Sequence, residues 1–136
     1  MADRTIEVLS EQECRELLDG HHFGRIGVVS GGAPIILPVN YVFHEGRIAI
    51  RTDRGTKLSA AALAQVAFEI DEADDEEHTG WSVLVRGTGY DVTDSVDEIS
   101  AHLRDTAVDT WAPGERANWV RVEPAAITGR RIRECA

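Results

Sequence analysis

Between Arg47 and Leu58 the chain reads Arg-Ile-Ala-Ile-Arg-Thr-Asp-Arg-Gly-Thr-Lys-Leu, and this segment gathers groups that bind phosphate. Arg51 and Lys57 are cations, Thr52 and Thr56 carry hydroxyls, and all four are donors suited to phosphate oxygens. Alternation from Arg47 to Arg51 predicts a half-buried strand, Asp53-Arg54-Gly55 a turn in which Gly55 can take positive φ, and Lys57 to Ala64 a short alanine-rich helix. The unpaired amides of that helix start would meet the side-chain donors at one point. The segment reads as an anion cradle, and neither a Walker-type loop nor a Gly-x-Gly-x-x-Gly fingerprint competes with it.

A second candidate is Pro38-Val39-Asn40-Tyr41. Pro38 has no amide hydrogen to give a ladder, so it belongs at a strand edge or irregularity, where neighbouring backbone groups can meet a ligand. The competing reading makes this a buried strand with Asn40 a satisfied polar residue and Tyr41 a core aromatic. Trp81-Ser82 opens a later strand, where a tryptophan serves as core or as a dimer anchor. Trp111, beside Pro113 and near Arg116, suits a lid over a ring system or a subunit contact. The five histidines, His21, His22, His44, His78 and His102, are scattered, so no metal site is expected, and no Gly-x-Ser-x-Gly elbow nominates a nucleophile.

The chain has 136 residues, which bounds it to a single domain over 1–136, and its formal net charge of −10 argues against a nucleic-acid partner or an anionic membrane surface. Much of the acidity is local. Asp71 to Glu77 holds six carboxylates in seven residues, read as a solvated loop between two strands because it lacks the spacing of a calcium loop. No signal segment and no apolar run long enough to span a bilayer is present, so a cytoplasmic protein is expected. Cys14 and Cys135 lack metal or redox spacing and are read as reduced.

The elements that must position these residues read as a series of hairpins. Ser10 with Glu13 predicts a capping box and a helix to about Leu18, ended by Gly20. Arg25–Ser30 and Pro34–Phe43 form a hairpin through Gly31-Gly32, and Glu45-Gly46 turns into the strand Arg47–Arg51. Gln65–Asp71 and Trp81–Val92 follow as strands, with Gly87 and Gly89 as bend points. Ser95 with Glu98 predicts a second capped helix with Ile99 and Leu103 on one face, and Asn118–Val122 a final strand. Short strands in hairpin order favour a mostly antiparallel barrel over a doubly wound sheet.

Arg51-Thr52-x-x-Gly55-Thr56-Lys57-Leu58 and Pro38-Val39-Asn40-Tyr41, with Val66–Asp71, Gly80–Gly87, and Trp119–Val122 leading to Ile127–Arg130, resemble the pyridoxamine-phosphate-oxidase-like, flavin-binding split-barrel superfamily. The likeness covers most of the chain and is to the short actinobacterial-type members. It implies a mostly β, antiparallel Greek-key split barrel of about six strands with a few short helices. It further implies a homodimer holding flavin mononucleotide (FMN) at two interfacial sites. Arg51, Thr52, Thr56 and Lys57 would then hold the phosphate, Pro38, Val39, Asn40 and Tyr41 the polar edge of the ring, and Trp81 and Ser82 its far side. The implied function is a flavin-dependent oxidoreductase passing hydride or electrons to a small molecule, with the cofactor carrying the chemistry. A deazaflavin-dependent reductase and a non-catalytic flavin- or haem-binding module are the alternatives. Pyridoxamine-phosphate oxidase activity itself is not expected, because Ile127-Thr128-Gly129-Arg130-Arg131-Ile132-Arg133 replaces the arginine and histidine segment that binds substrate in those enzymes.

Overall fold

The computed structural model describes residues 3–53, 58, 62–114 and 117–135. Its elements are β1 (Arg4–Val8), α1 (Glu11–Asp19), β2 (Phe23–Ser30), β3 (Ala33–His44), β4 (Arg47–Thr52), β5 (Ala62–Asp74), β6 (Thr79–Asp91), α2 (Glu98–Arg104) and β7 (Asn118–Glu134). Every strand pairing is antiparallel, in the order β1-β7-β4-β3-β2-β5-β6, and β6 pairs back onto β7. Six strands therefore close a ring, and β1 is added on the outer edge of β7.

Alternation along the strands fills the barrel. Ile26 stands opposite Phe68, Phe68 opposite Val85 and Val85 opposite Ile127, so one inward row crosses four strands. All four side chains lie in the core. The residues one step earlier or later on each strand, Arg25, Glu69, Leu84 and Thr128, form the matching outward row.

One end of the barrel is stopped by α1. The expected capping box is present: Ser10 Oγ accepts from the Glu13 amide at 3.1 Å, and the Glu13 carboxylate accepts from the Ser10 amide at 3.0 Å. The helix turns Cys14 and Leu18 wholly inward. Its seat depends on a missing side chain, since a Cβ at position 129 would lie 2.7 Å from Cys14 Sγ and 2.8 Å from the Ser82 carbonyl. The Leu9 amide donates to the Gly129 carbonyl at 3.0 Å. The far end of α1 is held by the buried Tyr41 hydroxyl, which donates to the Leu18 carbonyl at 2.7 Å.

Several boundaries differ from those the sequence predicts. Ala62 to Ala64, expected at the end of a helix, belong to β5, where Ala62 pairs with Val29; tertiary pairing overrides alanine's helical preference. Residues 54–57 and 59–61 lie outside the described residues, and residue 58 is helical. The acidic run is half strand: β5 continues to Asp74, paired with Thr79, and the Asp74 carboxylate accepts from the Glu76 and Glu77 amides in the short turn that follows. The second helix is capped by Asp97, which accepts from the Ser100 amide at 2.9 Å, so Ser95 is not its cap. Leu103 is buried as expected while Ile99 is exposed. The last strand runs on to Glu134 instead of stopping at Val122. A register shift at Arg86/Gly87 supplies one of the two anticipated bends.

The tight seat of α1 predicts that Gly129→Ala lowers stability by roughly 1–3 kcal/mol, the usual cost of forcing atoms into a packed site. Gly27→Ala, whose new Cβ would meet nothing nearer than 3.8 Å, should stay close to wild type. Urea melts of the two variants check this, and coincident midpoints would refute the seating.

Candidate functional site

The ladder between β3 and β4 stops early. It joins Tyr41–His44 to Arg47–Ile50, and its last pair is Tyr41 with Ile50. Continued in register, Asn40 would face Arg51 and Val39 would face Thr52, but these pairs are not formed. Instead β4 stays with β7, Arg51 opposite Trp119 and Thr52 opposite Asn118, while β3 from Ala33 to Asn40 stays with β2. The two strands splay apart there. Pro38-Val39-Asn40 and Arg51-Thr52 therefore stand on opposite banks of one opening, and Pro38 lies at a strand edge as its chemistry requires.

Backbone direction along the β3 bank follows from one bond. The Tyr41 amide donates to the His22 carbonyl at 2.9 Å, so the amides of alternate residues point the other way. The Asn40 amide and the Pro38 carbonyl thus point away from β2. On the other bank Arg51 lays its guanidinium over the Trp119 ring at 5.3 Å from the centroid, and Thr52 is buried.

The loop between α2 and β7 returns across this opening. Its Trp111 amide donates to Asn40 Oδ1 at 2.9 Å, and the Trp111 indole lies flat on Phe23, with centroids 4.8 Å apart and planes 3° from parallel. Gly114, at φ 122°, packs against the Asp53 carboxylate so closely that a Cβ would fall 2.6 Å from Oδ2. Asn40 Nδ2 is enclosed and has no hydrogen-bond partner among the described residues. An unmade bond of this kind costs about 1–3 kcal/mol and calls for an explanation.

Val39 packs, partly buried, against the core. Tyr41 is a core residue and not a ring contact: its hydroxyl is committed to Leu18, its amide to His22, and its ring meets Phe68 edge-on at 4.8 Å. Burial pushes its hydroxyl pKa upward, so it stays protonated near neutral pH. Thr56 and Lys57 lie outside the described residues. Trp81 and Ser82 are not brought to the opening by their own chain, for they stand opposite Arg131 and Arg130, twelve residues along β7 from the Trp119 that faces Arg51. Trp81 instead meets His21 edge-on at 4.9 Å, beside Glu72.

One cluster has no counterpart in the sequence reading. On the outer face Arg25 Nη1 lies 3.3 Å from the Glu69 carboxylate and 3.1 Å from that of Asp71. Residues 69 and 71 share a face of β5 by simple alternation, but only the β2–β5 register brings Arg25 to them. Burial pushes the Glu69 carboxyl up to about 7, with the hydrogen bond and charge of Asp71 adding to it and Arg25 opposing. Among the described residues no three histidine, cysteine or acidic side chains are placed to hold a metal ion, and no helix is long and apolar enough to cross a membrane.

Comparison with known proteins adds to this geometry. Residues 10–131 match the sequence family described as pyridoxamine 5′-phosphate oxidase. A solved structure from Corynebacterium glutamicum, named as a candidate pyridoxamine 5′-phosphate oxidase, is 38% identical with a TM-score of 0.78 over 96% of this chain and 96% of that one. The FAD binding protein from Mycobacterium smegmatis is 35% identical with a TM-score of 0.69, over 95% of this chain and 100% of its own. The uncharacterized protein Rv0080 of Mycobacterium tuberculosis is 31% identical over 135 residues, 95% of this chain and 87% of its length.

The Glu69 cluster sets a pH dependence. A carboxyl whose folded pKa of about 7 exceeds its ordinary 4.5 binds a proton more tightly when folded, so wild-type stability falls as pH rises through that interval. Glu69→Gln, which mimics the protonated form, should gain on wild type between about pH 4.5 and 7 and hold a constant difference above it. Thermal melts of both proteins across that range check the sign, and a difference independent of pH would show that Glu69 titrates normally.

Proposed function

The chain belongs to the pyridoxamine 5′-phosphate oxidase family, and from that premise we propose that it binds a flavin nucleotide at the opening between β3 and β4 and works as an oxidoreductase on a small molecule. The observation that carries this reading is the enclosed Nδ2 of Asn40, without a hydrogen-bond partner among the described residues, on the strand that parts from Arg51 and Thr52. The polar edge of an isoalloxazine ring carries acceptors for such a donor, and a flavin phosphate suits the cation and hydroxyl opposite. The residues present therefore fit the group.

In this reading Arg51 and Thr52, joined by Thr56 and Lys57 from the segment that follows, hold the phosphate. Asn40 and the backbone of Pro38–Asn40 orient the ring edge. The flavin, when bound, supplies hydride or electron transfer. The protein contributes position and field, and Tyr41 contributes no proton. FMN is the simplest ligand for one phosphate cradle, while the 35% identical FAD binding relative favours FAD as the second reading. Both share the first phosphate and the ring.

A homodimer belongs to the same proposal. From Ala33 to Asn40 β3 has a strand on one side only among the described residues, and Ile36 is 73% exposed there. Phe23, Leu84 and Val8 add apolar exposure. A second copy would cover this surface. It would also be the means by which Trp81 and Ser82, distant from Arg51 in their own chain, could reach a flavin.

Titration of apoprotein with FMN, FAD and riboflavin tests the cradle. Arg51→Ala and Lys57→Ala should each weaken FMN by about 1.5–3 kcal/mol and lose much of the preference over riboflavin. Equal wild-type affinity for FMN and riboflavin would sink it. Sedimentation at micromolar concentration should give one species of twice the 14.9 kDa chain mass. A monomer that binds one flavin per chain would remove the dimer.

A further inference from the structure

We propose that Phe23 and Asn40 form a subsite for a flat heteroaromatic ring bearing a hydrogen-bond acceptor on its edge, and that Trp111 is a lid which fills this subsite when no ligand is there. The proposal rests on the flavin reading in one respect: the isoalloxazine ring is taken as the first such ligand. Phe23 and Asn40 are direct partners across β2 and β3, so their side chains stand together on one face of the sheet. The Phe23–Trp111 stack is within 3° of parallel, whereas the other ring pairs among the described residues, His21–Trp81, His22–Tyr41 and Tyr41–Phe68, are tilted by 48° or more. A flat stack at 4.8 Å is the arrangement a planar ligand would adopt on Phe23, and it leaves no room for a third ring between the two.

The lid is held lightly and covers an unmet need. Trp111 keeps 68% of its surface in solvent, and among the described residues its ties are the stack and one backbone bond to Asn40 Oδ1. The other end of the same amide, Nδ2, is shut away from water with no partner among the described residues. Lifting the indole bares the Phe23 face, and in this proposal it gives a ligand on that face access to the donor. A ligand ring that takes its place restores the stacking and supplies the missing acceptor, so the exchange gains one hydrogen bond. Three residues on, the loop packs at Gly114 against Asp53 at the end of β4, a contact separate from the Trp111 stack.

The probe is lumiflavin, which has the isoalloxazine ring without a phosphate, with FMN run in parallel. Because a closed lid lowers apparent affinity by the fraction of open protein, Trp111→Ala should bind lumiflavin about fivefold tighter than wild type or more. Asn40→Asp keeps the acceptor for the Trp111 amide and removes the donor; it should bind about tenfold more weakly, the loss expected for one hydrogen bond. In wild type labelled with 5-fluorotryptophan, the fluorine resonance that vanishes in Trp111→Phe should move to a solvent-like position on adding lumiflavin. Weaker binding by Trp111→Ala would make Trp111 a platform and overturn the lid. Dissociation of a dimer by that substitution would make it a subunit contact, with the same result. Unchanged binding by Asn40→Asp, or no lumiflavin binding by either wild type or Trp111→Ala, also overturns it. The two readings separate cleanly: tight wild-type FMN binding indifferent to Trp111→Ala removes the lid and leaves the cradle. Lumiflavin binding by Trp111→Ala without FMN binding by wild type removes the cradle and leaves the lid.

Discussion

Closure of the sheet rests on β7, whose Val120–Ile132 stretch pairs with β6 along one edge while the opposite edge carries β4 at one end and β1 at the other. A strand shared in this way fixes where its neighbours can go. Between β4 and β1 that edge meets α1, through Leu9 and Cys14 at Gly129. A small barrel also needs sharp local bending, which the register shifts at Gly27/Val29 and Arg86/Gly87 supply. With β4 held to β7 and β3 held to β2, the two strands cannot stay together past Tyr41 and Ile50. The opening where they part is thus a product of closure elsewhere, and it comes with backbone groups already turned toward it.

Adjacent residues on β3 divide the work of that position. Tyr41 points inward, packs on Phe68 and ties down the end of α1, while Asn40 points outward to Phe23 and the Trp111 loop. Strand alternation alone separates the two roles. A change at Tyr41 would therefore loosen the helix that stops the barrel before it altered any contact at the opening. The same alternation parts Trp81, which faces His21 near the α1 end, from Ser82, which stands in the row with Asp71 and Arg130.

Much of this was legible in the residues. Hairpin order, the Ser10–Glu13 box, the turn glycines and the edge position of Pro38 follow from short-range chemistry, which depends on neighbours in sequence. The errors fall where long-range pairing outranks local preference. Ala62–Ala64 carry helical propensity but are drawn into β5, and Asp71–Asp74 look like loop because charge masks an outward strand face. The far half of β7 is hidden by Pro124 and a run of arginines, whose pairing with β6 and β1 no local pattern announces. At the site, Asn40 and Arg51 were readable as types. Their placement across a splayed ladder, the return of Trp111 onto Phe23 and the Arg25–Glu69–Asp71 cluster all depend on register.

The edge of β3 bears on colloidal behaviour as well as on ligands. An exposed strand edge rich in isoleucine, leucine and valine is a template on which further chains can stack indefinitely. Here the amides that point away from β2 belong to residues 34, 36, 38 and 40, by the alternation that the Tyr41 bond fixes. Two of those four are prolines, Pro34 and Pro38, and neither can donate. An incoming strand would meet a ladder with every other donor missing. The chain can therefore display a sticky surface to one well-shaped neighbour while denying the continuous hydrogen bonding that fibrils need.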